Sequence, residues 1–117
     1  MIFFEYEQVV KIHRSLIEKT DGMDGIRDAQ LLDSALKTPF QTFGGNKASQ
    51  LCYSLIENHP FVDGNKRIGV HLMLLFLKLN NIEVNYSQQE LIDFGLDIAS
   101  GKMSKNDIKG WIIEHRK

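Results

Sequence analysis

Apolar residues recur every three or four positions along most of the chain, which is the spacing of amphipathic helices. The first two runs have the apolar faces Tyr6, Val9, Val10, His13, Leu16 and Ile17, and then Leu31, Leu32, Ala35 and Leu36. We expect the first helix to end before Asp21 and Gly22. Asp28 is placed to cap the second helix, which ends at Thr38 and Pro39 because the residue before a proline disfavours helical backbone.

A short polar loop separates the third and fourth helices. The apolar positions that predict the third helix are Ala48, Leu51, Cys52, Leu55 and Ile56. This helix ends at the sequence Asn58-His59-Pro60. The fourth helix begins near Asn65 and runs to about Leu79, where Asn80-Asn81 stops it. It is apolar on nearly every side, which is typical of a helix surrounded by others.

Two serine-based capping patterns predict the last two helices. In Ser87-Gln-Gln-Glu90 the serine and glutamate form a capping box that opens a fifth helix, and Gly101 ends that helix. Ser104-Lys-Asn-Asp107 is a similar start for a sixth helix, whose inner face is Ile108, Trp111, Ile112 and His115. We expect residues 82–86 to form a short extended connection and residues 115–117 to be a frayed, solvated tail.

Together these patterns predict an all-α fold with about six helices around a buried central helix. The chain has no internal repeats and no linker long enough to separate domains, so we expect a single domain over residues 1–117. Of its residues, 43% are hydrophobic and 25% are charged, which is ordinary for a globular domain with one core.

Charge and cysteine content narrow the class of protein. The net charge is −1, whereas nucleic-acid binders usually carry a basic excess. The apolar run that ends at Leu79 is too short to span a bilayer, and the N-terminus does not resemble a signal peptide. The single cysteine, Cys52, cannot form an internal disulfide, which favours a reducing compartment. We therefore expect a cytoplasmic protein that binds neither nucleic acid nor membrane.

The loop before the fourth helix holds most of the residues that can do chemistry. The first turn of a helix presents unpaired N–H groups and the positive end of the helix dipole, which suit a phosphate. Lys66 and Arg67 add cations there, and Asn65 adds an amide donor. Asp63 offers hard oxygen ligands for magnesium, and His59 can accept a proton from a hydroxyl. This set favours phosphoryl or nucleotidyl transfer, in which positioning and charge neutralisation carry most of the catalysis.

Each of these residues also has an ordinary structural interpretation when it is taken alone. A His-Pro pair often stops a helix, Asp-Gly-Asn often forms a turn, and Lys-Arg at a helix start is often solvated. The complete ordered set in front of a buried helix is much less expected by accident. We expect Phe61 to be a hydrophobic anchor for the loop and His13 to be a hydrogen-bonded core residue. His71 lies four residues after Arg67 and either supports the phosphate site or packs in the fold.

The sequence His59-Pro-Phe-Val-Asp-Gly-Asn-Lys-Arg67 closely resembles the signature of the Fic/Doc family, which is His-Pro-Phe-x-(Asp/Glu)-Gly-Asn, then Gly or Lys, then Arg. Three further features resemble the death-on-curing (Doc) branch. They are the sequence Gly25-Ile-Arg-Asp28 before a short helix, the Thr42-Phe-Gly-Gly45 loop and the short overall length. The resemblance covers essentially the whole chain and implies a compact all-α bundle, in agreement with the predicted helices.

The resemblance implies roles for the residues that match the family signature. His59 resembles the catalytic base, which deprotonates a hydroxyl of a target protein, and Asp63 resembles the Mg²⁺ ligand. The positions implied to bind the nucleotide phosphates are Gly64, Asn65, Lys66 and Arg67. The loop of residues 39–46 resembles the flap that lines up the target segment, and its docking residues are Phe40, Thr42, Phe43 and Gly44. The implied donor is ATP or another nucleoside triphosphate.

Two positions bear on which group is transferred. AMP-transferring Fic enzymes usually have glycine at the position of Lys66 and a second arginine at the position of Val70. Both features help to hold a pyrophosphate, so their absence weakens the case for AMP transfer. The Asn-Lys-Arg version is similar to Doc toxins, in which the γ-phosphate moves and the implied target is translation elongation factor Tu. Pro60 and Gly64 look more like Fic, so phosphate transfer and AMP transfer both remain open.

Control by a separate chain is implied as well. Many Fic proteins carry an inhibitory helix with the pattern Ser/Thr-x-x-x-Glu-(Gly/Asn), but Ser54-Leu-Ile-Glu57-Asn58 is one residue too short to match it. The resemblance therefore implies the toxin of a toxin–antitoxin system, whose antitoxin covers the site with a disordered segment that orders on binding. A third alternative, from another class, is a non-catalytic module that binds a partner peptide in the groove.

Overall fold

The computed structural model describes residues 4–37 and 47–117. Within these ranges the chain forms six α-helices, and its only extended pairings are isolated bridges. The helices are α1 (Tyr6–Glu18), α2 (Ala29–Lys37), α3 (Lys47–Asn58), α4 (Asn65–Leu79), α5 (Gln88–Ala99) and α6 (Lys105–His115). The predicted all-α class is confirmed. No helix in the same ranges is both long and apolar enough to cross a membrane.

Side-chain caps begin several helices at the positions predicted from the sequence. The Ser87 hydroxyl accepts the Glu90 N–H at 3.1 Å, and the Glu90 carboxylate accepts the Ser87 N–H at 2.9 Å. Ser104 and Asp107 exchange the same pair of bonds at the start of α6. The Asp28 carboxylate accepts two N–H groups from the first turn of α2, at 3.0 and 3.1 Å. Because a cap stabilises a helix by about 1 kcal/mol, these short motifs fix where the helices start.

The core lies mainly between α3 and α4. The buried face of α4 consists of Asn65, Ile68, Gly69, Leu72, Met73, Phe76 and Leu77. Gly69 permits a close approach of the two helices, because a Cβ at this position would lie 3.2 Å from the Cys52 carbonyl oxygen. Another face of α4 is only partly buried and lines open pockets; it includes Val70, His71, Leu74 and Leu75, of which Val70 and Leu74 also pack against the core. Helix α4 is thus the central helix, with one side left accessible.

The prediction of a frayed, solvated tail at residues 115–117 is wrong for the backbone, which is held by hydrogen bonds, although the side chains of Arg116 and Lys117 are exposed. The Asn85 N–H donates to the His115 carbonyl at 2.7 Å, and the Lys117 N–H donates to the Glu83 carbonyl at 3.0 Å. The C-terminus therefore pairs with the extended connection between α4 and α5. Helical periodicity does not reveal this pairing, because its partners are main-chain groups in a distant part of the sequence.

His115 joins the ends of α5 and α6. Its Nδ1–H donates to the Trp111 carbonyl at 2.7 Å and its Nε2–H donates to the Glu90 carboxylate at 2.6 Å. The bond to the Trp111 carbonyl raises the pKa of His115, and the Glu90 carboxylate raises it further against the opposing effect of desolvation. The pKa of Glu90 is lowered, first by its bond from the Ser87 N–H and then by His115. The structure therefore favours the charged pair.

This pair should make the stability of the fold depend on pH. A histidine whose pKa is raised in the folded state contributes stability that is complete below its unfolded-state pKa of about 6.5 and is lost as the pH rises through the folded-state pKa. We expect the free energy of unfolding of the wild-type protein to exceed that of His115→Gln most clearly near pH 5.5 and least at about pH 9. Urea unfolding across this range measures the difference.

A second variant separates the ion pair from the bond to Trp111. Glu90→Gln keeps the His115 imidazole but removes its anionic partner. In a Glu90→Gln background, His115→Gln should therefore lower the free energy of unfolding below neutral pH by less than it does in the wild type. If the free energies of unfolding of wild type and His115→Gln differ by the same amount across the pH range, the charged His115–Glu90 pair is not the source of the stability.

Candidate active site

The loop between α3 and α4, residues 59–64, contains two residues in the left-handed backbone region; we call it the signature loop. His59 has φ +47° and Gly64, the residue before α4, has φ +78°. Residues other than glycine seldom adopt this region, so surrounding bonds have to hold His59 there. At Gly64 a side chain would also be crowded, because a Cβ would lie 2.9 Å from the Cδ1 atom of Ile17, which would have to shift. The signature loop therefore continues neither helix, in agreement with the polar loop predicted between the third and fourth helices.

A second segment, residues 25–28, pairs with the signature loop in the antiparallel sense; we call it the strap. The Arg27 and Asp28 N–H groups both donate to the Pro60 carbonyl, at 2.8 and 3.0 Å. In the other direction, the Val62 N–H donates to the strap, at the Gly25 carbonyl, over 3.0 Å. The main chain of the loop thus takes its partners from a segment that precedes α2.

Phe61 fixes the middle of the signature loop in the core. It is 1% exposed, and its ring stacks on the His13 imidazole with 3.7 Å between ring centroids. Its N–H donates to the Asn65 side-chain oxygen at 2.9 Å, and its carbonyl accepts from the Asn65 side-chain nitrogen at 3.0 Å. One buried side chain therefore satisfies both main-chain groups of Phe61. The Asn65 side-chain amide is used inside the loop, and its main-chain N–H is left without a hydrogen-bond partner among the described residues.

His13 supports the signature loop from α1. It is buried, and its Nε2 lies 2.7 Å from the Asp63 carbonyl oxygen. A carbonyl oxygen only accepts, so Nε2 carries a proton. Nδ1 has no hydrogen-bond partner among the described residues and lies 3.5 Å from the Asp24 carboxylate. The core histidine predicted from helical spacing therefore also holds the main chain of the loop.

The Asp63 carboxylate is exposed and is held at the start of α4 by main-chain donors. One oxygen accepts the Met23 N–H at 3.2 Å and the other accepts the Gly64 N–H at 2.8 Å. These two bonds lower the pKa of Asp63, and the positive charge of Arg67 lowers it further. Asp63 is thus an anion. Each of its oxygens can accept about two hydrogen bonds or metal contacts and uses only one with a described residue, so each has a lone pair available.

This carboxylate fits a magnesium ion that is shared with a nucleotide. Within residues 4–37 and 47–117, no group of three or more His, Cys, Asp or Glu side chains is placed to hold a metal by itself. Magnesium is commonly bound by one or two carboxylates together with water and phosphate oxygens. A single charged Asp63 next to the first turn of α4 fits that requirement, whereas the described residues offer no site made of protein ligands alone.

The start of α4 collects cations and unpaired donors. The main-chain N–H groups of Asn65, Lys66 and Arg67 make no hydrogen bond to any residue that the structure describes. Lys66 Nζ donates to the Ala99 carbonyl at 2.9 Å, and Arg67 Nη1 donates to the Thr20 hydroxyl at 2.8 Å. Both acceptors are neutral oxygen atoms, so neither cation is neutralised by an anionic hydrogen-bond partner from residues 4–37 or 47–117.

Two pockets meet at Lys66. One, of about 190 Å³, is lined by His59 and Lys66 together with Tyr53, Ile56, Glu57, Ile98, Gly101 and Met103. The other, of about 320 Å³, is lined by Lys66, Arg67 and His71 and by mostly apolar side chains of α1, α4 and α5. Larger pockets of about 460 and 640 Å³ include neither His59 nor Lys66, so size alone does not locate the chemistry. Lys66 therefore lines both the pocket that contains His59 and the pocket that contains Arg67.

Arg27 and Thr20 join this arrangement although sequence reasoning gave them no part in it. Arg27 Nε donates to the His59 carbonyl at 2.6 Å, and Thr20 is the partner of Arg67. The only sequence signal for Arg27 is the strap sequence that resembles the Doc branch, and Thr20 has none, because both contacts join distant parts of the chain. The predicted docking residues of the flap lie outside the described residues; they are Phe40, Thr42, Phe43 and Gly44.

The sequence matches the model of the Fic/DOC family over residues 3–77, a range that includes the strap and the whole signature loop. The chain belongs to the Fic/Doc family. The matched range holds the histidine and the carboxylate of the signature loop and the two cations of the first turn of α4.

Two named relatives lie in the Doc branch of the Fic/Doc family. The chain is 34% identical over 88 residues to Toxin Doc of Mycolicibacterium smegmatis, a match that covers 68% of this chain and 63% of that protein. It is 23% identical over 109 residues to Protein kinase doc of Escherichia phage P1, a match that covers 87% of this chain and 86% of that protein. The Doc resemblance read from the sequence is thereby confirmed.

The bonds within the signature loop predict a large effect at Asn65. Asn65→Ala leaves the buried N–H and carbonyl of Phe61 unpaired, and at about 1–3 kcal/mol for each group we expect a loss of about 2–6 kcal/mol in the free energy of unfolding. Asn106→Ala is the matched control, because Asn106 is exposed on α6 and its change should stay within about 0.5 kcal/mol. Urea unfolding measures both. Equal stability of the two variants would contradict this account of the loop.

Proposed function

We propose that this Fic/Doc protein is the toxin of a toxin–antitoxin system and transfers the γ-phosphate of a nucleoside triphosphate to a hydroxyl of a target protein. One observation carries the proposal: His59 and Lys66 line the same pocket, and Lys66 belongs to the first turn of α4, whose N–H groups have no hydrogen-bond partner among the described residues. A proton acceptor thus lies next to an anion site, which is the juxtaposition that phosphoryl transfer requires.

The anion site consists of the free N–H groups of the first turn of α4 and the side chains of Lys66 and Arg67. A phosphate oxygen carries negative charge and makes shorter and stronger hydrogen bonds than a neutral oxygen does. Both cations can therefore exchange their present partners, the Ala99 carbonyl and the Thr20 hydroxyl, for a nucleotide phosphate. The positive end of the α4 dipole favours the same anion.

His59 is the base in this proposal. Its side chain is exposed, and its imidazole makes no hydrogen bond to any residue in the described part of the chain. As the hydroxyl oxygen of the target attacks the γ-phosphorus, the hydroxyl proton passes to a nitrogen of this imidazole. The bond between the γ-phosphorus and the bridging oxygen breaks, and the nucleoside diphosphate leaves.

Asp63 is the residue that would hold Mg²⁺. The bound ion would neutralise charge on the phosphate oxygens, which a nucleotide needs before an oxygen nucleophile can approach. The part played by the chain itself is to keep Asp63 ionised through the Met23 and Gly64 N–H groups and to keep it beside Arg67.

Lys66 and Val70 support γ-phosphate transfer over AMP transfer. Glycine at position 66 would leave the main chain open to wrap a pyrophosphate, but a lysine side chain stands there instead. Val70 contributes an apolar surface to the pocket of Lys66 and Arg67, where AMP-transferring relatives have a second arginine. The name Protein kinase doc, carried by the phage P1 relative, is consistent with this choice.

AMP transfer is the second candidate, because part of the signature loop follows the Fic pattern. Pro60 is buried, and Gly64 occupies a left-handed position that no other residue fits without strain. These two residues shape the loop in the manner of Fic enzymes, whereas Lys66 and Val70 shape the anion site in the manner of Doc. A non-catalytic module remains the outcome if neither group is transferred.

The target and the partner of the toxin complete the proposal. Resemblance to the Doc branch supports elongation factor Tu as the target, the cytoplasm as the place of action and a separate antitoxin with a disordered segment. The sequence supports an external inhibitor, since it lacks the inhibitory Ser/Thr-x-x-x-Glu motif of many Fic proteins. The open pocket formed by Lys66, Arg67 and the apolar side of α4 offers the antitoxin a surface to cover.

Labelled nucleotide tests the reaction and the base together. The purified protein is incubated with elongation factor Tu or with cell lysate, Mg²⁺ and ATP labelled at either the α or the γ position. We expect label on a protein only from γ-labelled ATP. His59→Ala should reduce the rate by about 10²–10⁴-fold, the usual contribution of a general base, while urea unfolding stays unchanged because the side chain is exposed.

Each result decides between the candidates. Label from the α position identifies an AMP transferase, and label from neither position, with a folded protein that binds its partner, identifies a non-catalytic module. Transfer that persists at the wild-type rate in His59→Ala excludes this histidine as the base. In cells, expression of the wild-type protein should arrest growth and His59→Ala should not, and co-expression with the neighbouring small open reading frame should restore growth.

A further inference from the structure

We propose that Arg27 is a positioning residue for the transfer reaction, whose guanidinium fixes the backbone conformation in which His59 presents its imidazole. The proposal rests on the role of His59 as the base. Arg27 lies in the strap and does not line the pocket of His59, so it acts through that histidine and not on the substrate.

The Arg27 guanidinium binds the two peptide units that flank His59. Its Nε–H donates to the His59 carbonyl at 2.6 Å, and its Nη2–H donates to the Asn58 carbonyl at 2.7 Å. These two donors belong to one planar group and point to the same side of it. The φ and ψ angles of His59 are the rotations between those two peptide units. A rigid group that binds both units therefore restricts both rotations.

His59 needs such a restraint because its backbone conformation is unfavourable by itself. Its φ of +47° lies in the left-handed region, where the Cβ of an L-residue is crowded. Helix α3 ends at Asn58, and the last carbonyl groups of a helix have no partner in a following turn. The guanidinium satisfies the carbonyl at this end and holds the turn that follows. Without it, rotation of the main chain would carry the imidazole away from the pocket.

The main chain of Arg27 is fixed to the same loop. Its N–H donates to the Pro60 carbonyl at 2.8 Å, and the next residue of the strap, Asp28, donates to the same oxygen at 3.0 Å. The guanidinium is therefore offered from a backbone already tied to the residue that follows His59. Main-chain and side-chain bonds of Arg27 together hold three consecutive carbonyl groups, those of Asn58, His59 and Pro60.

The Arg27 side chain does not contribute to the core, which distinguishes a positioning role from a role in global stability. The Arg27 side chain is exposed, so its removal leaves no cavity and should alter global stability little. A lysine at this position keeps the charge but offers a single ammonium point instead of a planar fork. Arg27→Lys therefore tests the geometry of the two bonds, and Arg27→Ala tests their presence.

The kinetic experiment compares kcat and KM for phosphoryl transfer among wild type, Arg27→Lys, Arg27→Ala and the control Arg116→Ala. Arg116 is an exposed arginine whose side chain makes no hydrogen bond to a described residue. We expect Arg27→Ala to lower kcat by about tenfold to a hundredfold, the usual effect of a misplaced catalytic group, with little change in KM for ATP. Added guanidinium ion should partly restore kcat in Arg27→Ala, and ammonium ion should not.

A second measurement does not depend on activity. The steady-state heteronuclear NOE of the backbone amides reports order at His59 and, for comparison, at Ile68 within α4. In Arg27→Ala the value should fall at His59 and stay unchanged at Ile68, while Arg116→Ala should match the wild type at both. If Arg27→Ala does not fold, the NOE values at His59 and Ile68 are compared between Arg27→Lys and the wild type instead.

The two arms separate failure of this proposal from failure of the proposed function. A lower NOE at His59 together with a lower kcat supports the positioning role. An unchanged NOE at His59 in Arg27→Ala overturns it, whether or not the wild type is active. A lower NOE at His59 in Arg27→Ala together with a kcat equal to that of an active wild type also overturns it. In that case the order of the His59 backbone would have no effect on the transfer reaction. A wild type without transferase activity refutes the proposed function, and the NOE then decides by itself whether Arg27 holds His59.

Discussion

Hydrogen bonding of the main chain in the signature loop is the constraint on which the rest of the site depends. The loop passes beside the core, where each polar group left without a partner costs about 1–3 kcal/mol. The strap, the Asn65 amide and the His13 imidazole supply those partners. Because these groups come from three separate parts of the chain, the loop can reach its conformation only when α1, the strap and α4 have packed together.

The same arrangement separates the supporting groups of the loop from its reactive groups. Phe61 and Asn65 point inward and hold the loop, whereas His59 and Asp63 remain exposed at its two ends. The first turn of α4 follows immediately, so its free N–H groups and the cations of the signature lie where an anion can reach them. Lys66 is held to the end of α5 by a bond to a neutral carbonyl, which keeps it ordered without neutralising its charge.

Patterns that are local in sequence were sufficient for most of the fold. Helix α5 begins where the Ser87 capping box predicts, because a cap and its partner lie within one turn. The signature residues could also be recognised, since they are contiguous. The bonds between Lys66 and the Ala99 carbonyl and between His115 and Glu90 could not, because they form only after distant elements pack. Pairing of the strap with the loop uses main-chain groups, which every sequence has and which therefore carry no signal.

Native-state hydrogen exchange tests most directly the claim that the strap and the signature loop form one unit. The relevant amides are those of Arg27 and Asp28, which donate to Pro60, and that of Val62, which donates to Gly25. If the two segments open together, these three amides should exchange with the same free energy of opening, and Arg27→Lys should not divide them into two groups. Exchange of the two strap amides at the rate of an unfolded peptide, while the Val62 amide stays protected, would contradict the account.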